Sequence, residues 1–165
     1  MPGGLVLQAL RDEDPVPALM ALRDSPRAER LLTQLFVVAL RRCFAGRDVR
    51  EITRYVRDLL DWRAMPTRRE LARQAEALIR AALGEPALAG AVPAARRHEI
   101  MCYVVGDLAR PPGVPPELLE SLVKQAEQRV DRYPPPAGMN GRRRAAERTA
   151  RYERVRRPVR FGRPR

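Results

Sequence analysis

The 165-residue chain carries 32 Lys+Arg against 20 Asp+Glu, a formal net charge of +12, and 45% apolar residues weighted toward alanine and leucine. That length suits one core of ordinary size, and the Ala/Leu weighting favours helix over strand. The longest apolar run, residues 35–40, is far short of the roughly 20 residues that cross a bilayer as a helix, so a membrane-spanning role is not expected.

Residues 1–24 read as an N-terminal extension with one short helix at 16–23, whose start Pro15 and Pro17 weaken. The first residues lack a basic segment followed by a long apolar one, so a cleaved secretory leader is not expected. Residues 25–133 read as a helical bundle domain. Its first helix begins at Ser25-Pro26, an N-cap followed by proline at the first helical position, and stops at Gly46. Leu31, Leu32, Leu35, Phe36, Val38, Ala39 and Phe44 make it apolar around much of its circumference, the pattern of a central helix.

The second helix opens on Asp48 with Glu51 three residues later, a capping-box-like pair. Val49, Ile52, Val56, Leu59 and Leu60 fall on one face and Arg50, Arg54, Arg57, Asp58 and Asp61 on the other. The third repeats the device with Thr67 and Glu70, then shows Leu71, Ala75, Leu78, Ile79 and Ala82 before Gly84. Its basic start, Arg68-Arg69 with Arg73, invites comparison with a helix-turn-helix, but the apolar period runs unbroken to Leu83, which predicts one long helix. Residues 85–93 are expected to turn the chain.

A fourth helix carries Ile100, Met101, Val104, Val105 and Leu108 until Pro111-Pro112-Gly113. A fifth starts near Pro115-Pro116 and presents Leu119, Leu122, Val123, Ala126, Val130 and Tyr133 before three prolines end it. Short connections predict that sequence neighbours pack side by side. The expected fold is therefore all-α, a compact antiparallel bundle of about five helices followed by a disordered or marginally helical basic C-terminal tail. A faint echo at a spacing of 67 residues, Phe36-Val37-Val38 against Tyr103-Val104-Val105, raises a duplication of two helical hairpins, although amphipathic helices match one another easily by chance.

Residues 134–165 read as a proline-initiated, arginine-rich flexible tail. Nine of the twelve net positive charges lie in residues 137–165. Arg142, Arg143, Arg144, Arg148, Arg151, Arg154, Arg156, Arg157, Arg160 and Arg163 are the candidate polyanion contacts, because guanidinium groups donate paired hydrogen bonds to phosphate and release counterions. Lys124 is the only lysine, however, a skew that codon composition also produces.

The chemistry-bearing residues are few. His98 is the only histidine and lies four residues before Cys102. Two ligands do not make a zinc site, and a catalytic Cys–His pair needs a lowered thiol pKa and a third orienting group. The expected roles are a partly exposed histidine near a helix start and a buried thiol; Cys43 also sits in an apolar pattern. Ser25 and Ser121, the only serines, form no nucleophile motif, and no glycine-rich phosphate loop follows a strand. Carboxylate pairs such as Asp58 with Asp61, and Glu117 with Glu120, stand among arginines as surface ion pairs. Phe36, Phe44, Trp62 and Tyr103 are placed in the core or at its edge.

No catalytic residue, metal or cofactor is expected. The sequence points to a small non-enzymatic regulatory or adaptor protein of the cytoplasm, whose bundle contacts an unidentified protein partner while its tail adds electrostatic contact. The alternative is a nucleic-acid-associated protein that binds DNA or RNA phosphates through the tail. The apolar first helix also allows a shared core in a homodimer.

Overall fold

A computed structural model describes residues 2–62, 68–110 and 115–132, and every regular element among them is helical. Seven α-helices are described: α1 (Pro2–Arg11), α2 (Pro15–Ala21), α3 (Pro26–Phe44), α4 (Val49–Trp62), α5 (Arg68–Leu83), α6 (Ala94–Leu108) and α7 (Pro116–Arg132). Short 3-10 segments, Leu22–Asp24 and Pro86–Ala91, follow α2 and α5.

The largest departure from expectation lies in residues 2–24, which form two α-helices built into the core. In α1 the apolar residues Val6, Ala9 and Leu10 recur at helical spacing and are buried, while Gly3 lets the helix approach the Glu127 carboxylate of α7. Proline does not weaken α2. Pro15 stands at the first helical position, where a missing N–H costs no intrahelical bond, and Asp14 Oδ1 accepts from Val16 N at 3.4 Å. The helix ends at Ala21, short of the expected Arg23, and the 3-10 turn leads into Ser25.

Ser25 caps α3 as the sequence predicts, its Oγ accepting from Ala28 N at 3.4 Å. At the far end Arg41 and Arg42 stand in the last turn, where positive charge offsets the helix dipole, and Gly46 adopts φ +77° in the turn beyond. Asp48 Oδ1 accepts from Arg50 N at 3.1 Å at the start of α4. Helix α5 runs unbroken, as its apolar period requires, whereas its Thr67 cap lies outside the described residues. Arg80 then clamps Glu85 through Nε and Nη2 at 2.8 and 2.6 Å, and the following 3-10 segment folds back against α5.

Spatial order does not follow chain order. Helix α3 packs against α1, α5, α6 and α7, whereas α4 packs principally on α5 and α2 principally on α6 and α1. The expected side-by-side pairing of α3 with α4 and of α6 with α7 is therefore replaced by a hub arrangement. The reason is the width of each apolar face. Leu31, Leu32, Leu35, Phe36, Val38, Ala39 and Leu40 are buried around α3, which accommodates several neighbours, but α4 buries only the one stripe of Ile52, Val56, Leu59 and Leu60. The two helix pairs linked by the sequence echo accordingly do not pack as matching hairpins.

Polar contacts fix the ends of this arrangement. Arg30 Nη2 donates to the Val130 carbonyl at 3.1 Å, tying α3 to the last turn of α7. Arg110 Nη2 donates to the Glu13 carbonyl at 2.5 Å and to Asp14 Oδ1 at 3.3 Å, tying the end of α6 to the α1–α2 turn. Near that contact, Gly106 lets α6 approach α2: a Cβ there would stand 3.2 Å from both Pro15 Cγ and Val16 Cγ2. The compact unit extends to Arg132. Trp62 as a core side chain, Tyr133, the three prolines and the tail arginines lie outside what is described of the chain.

Candidate functional site

The sequence puts His98 and Cys102 one helical turn apart. Both stand on α6, and both are buried, His98 at 3% and Cys102 at 0% exposure. The expectation of a partly exposed histidine is thus corrected. Because α6 begins at Ala94, position 98 falls in its second turn and faces the interior, while Arg97 turns back so that its Nε donates to the Val92 carbonyl at 2.8 Å.

Neither ring nitrogen of His98 has a hydrogen-bond partner among the described residues. Burial pushes the Cys102 thiol up to about 12, and the nearby Glu99 carboxylate adds to the shift. That is the reverse of the lowered pKa by which a catalytic or metal-binding thiol becomes a thiolate. Cys43, half-buried at the end of α3, is also raised by burial, although Arg42 and Arg47 pull against the shift. Among the described residues no three His, Cys, Asp or Glu side chains converge as a metal set.

An unpaired imidazole in the interior should cost stability, since its hydrogen bonds with water are lost on folding and not replaced. His98→Leu, close in volume and without polar atoms, is expected to raise the unfolding free energy by about 1 kcal/mol. A thermal-melting comparison with wild type at pH 8 checks it.

Of the paired carboxylates, Asp58, Glu117 and Glu120 are exposed, and the Asp61 side chain lies outside what is described. Glu120 Oε1 pairs with Arg11 Nη2 at 2.5 Å, and Asp58 Oδ1 lies 3.7 Å from Arg57 Nε. Phe36 and Phe44 are buried, with the Phe44 ring 5.0 Å from that of Tyr55, and Tyr103 is half-buried. These aromatics pack inside and at the edge of the core, as expected.

The exposed face of the chain offers two further features. On α1, which holds no charged side chain before Arg11, Gly4, Leu5 and Gln8 are exposed, and Leu5 at 54% is the more exposed of two large apolar side chains standing out among the described residues. The C-terminal turn of α3 displays Arg41 and Arg42, the connecting turn Arg47, and the outer face of α4 Arg50, Arg54 and Arg57, all exposed. The sequence marks Arg50, Arg54 and Arg57, together with Asp58 and Asp61, as a solvated face. The ten tail arginines expected to bind polyanions, Arg142 through Arg163, lie outside the described residues.

No helix among the described residues is long and apolar enough to cross a membrane. No protein-family model, no curated protein and no solved structure matches the chain.

Proposed function

We propose that the protein is a small non-enzymatic adaptor of the cytoplasm, in which an antiparallel helical bundle binds a protein partner and the arginine-rich segment 134–165 adds electrostatic contact. The observation that carries this reading is the disposition of the reactive groups. His98 and Cys102 are packed inside, with the thiol raised to about 12, while the exposed faces present arginines, carboxylates and Leu5. Such groups make contacts.

The uncharged strip of Gly4, Leu5 and Gln8 on α1 is the best-suited protein-binding element, because the centre of a protein interface is depleted in charge while its rim is polar. In this reading α1 and α2 belong to the binding bundle with residues 25–132. The test is affinity capture with the full chain, with Leu5→Arg and with a chain ending at residue 136, the recovered proteins being identified by mass. One partner retained by the truncated chain and lost with Leu5→Arg supports the reading. A partner that follows the tail and ignores Leu5 reverses the assignment. A second copy of the chain as partner is separated from both by sedimentation of the purified protein.

Nucleic-acid association through the tail is the second reading, favoured by the concentration of nine net positive charges in residues 137–165.

A further inference from the structure

We draw no further inference here: the strongest candidate, the uncharged and largely exposed surface patch of residues 86–95 leading from the second 3-10 segment into α6, carries nothing because nothing in the structure shows what covers it.

Discussion

Leu32→Ala is expected to lower the unfolding free energy by about 3 kcal/mol, one of the two largest effects anticipated for a single substitution. Leu32 is 0% exposed on α3, the helix against which α1, α5, α6 and α7 all pack. Removing its three outer carbons forfeits their transfer free energy and leaves a cavity that several rigid neighbours line together, so collapse of the site is limited. Leu5→Ala deletes the same atoms from the surface of α1 and is expected to change stability by less than about 0.5 kcal/mol. Urea unfolding of both variants checks the pair: the Leu32 variant should shift the midpoint with little change in slope. Equal shifts for the two would show that α3 is not the hub.

The second large effect concerns alkaline stability. With the Cys102 thiol held at about 12 in the folded chain and near 9 when unfolded, the folded state keeps its proton at a pH where the unfolded state has lost it. The thiol's contribution is therefore constant below about pH 9 and declines as pH rises through the window from about 9 to about 12. Between pH 8 and pH 10.5 the wild type should lose about 2 kcal/mol relative to Cys102→Val, which has no proton to release. The difference between the two proteins isolates Cys102 from tyrosines and other groups that titrate in the same range. Parallel stability curves for the two over that interval would refute the buried assignment.

Both predictions draw on features that the sequence shows unequally. The burial of Leu32 is legible, because a run of apolar residues recurring around α3 has no other stable destination in water. Cys102 is also legible as a buried thiol. His98 is not. Spacing places it one turn from Cys102, but the start of α6 at Ala94 and the neighbours of its second turn decide whether the imidazole meets solvent.

The first 24 residues show how much local rules miss. Val6, Ala9 and Leu10 carry a helical period over only a few residues, and a helix as short as α1 gains its stability from packing on α3 and α7. Pro15 and Pro17 look like obstacles in the sequence, yet in the first turn of α2 they occupy positions whose N–H groups have no intrahelical acceptor. The signals are present; their meaning depends on where the helix begins.

Helix class, the Ser25 cap, the continuous α5 and the apolar hub of α3 follow from side-chain chemistry at short range, where 3.6-residue periodicity and capping act without reference to the rest of the chain. Partner choice among the helices and the interior placement of His98 required the folded arrangement. Each depends on residues that meet only after the turns are made, and a short loop such as 45–48 fixes a connection without fixing which faces come together.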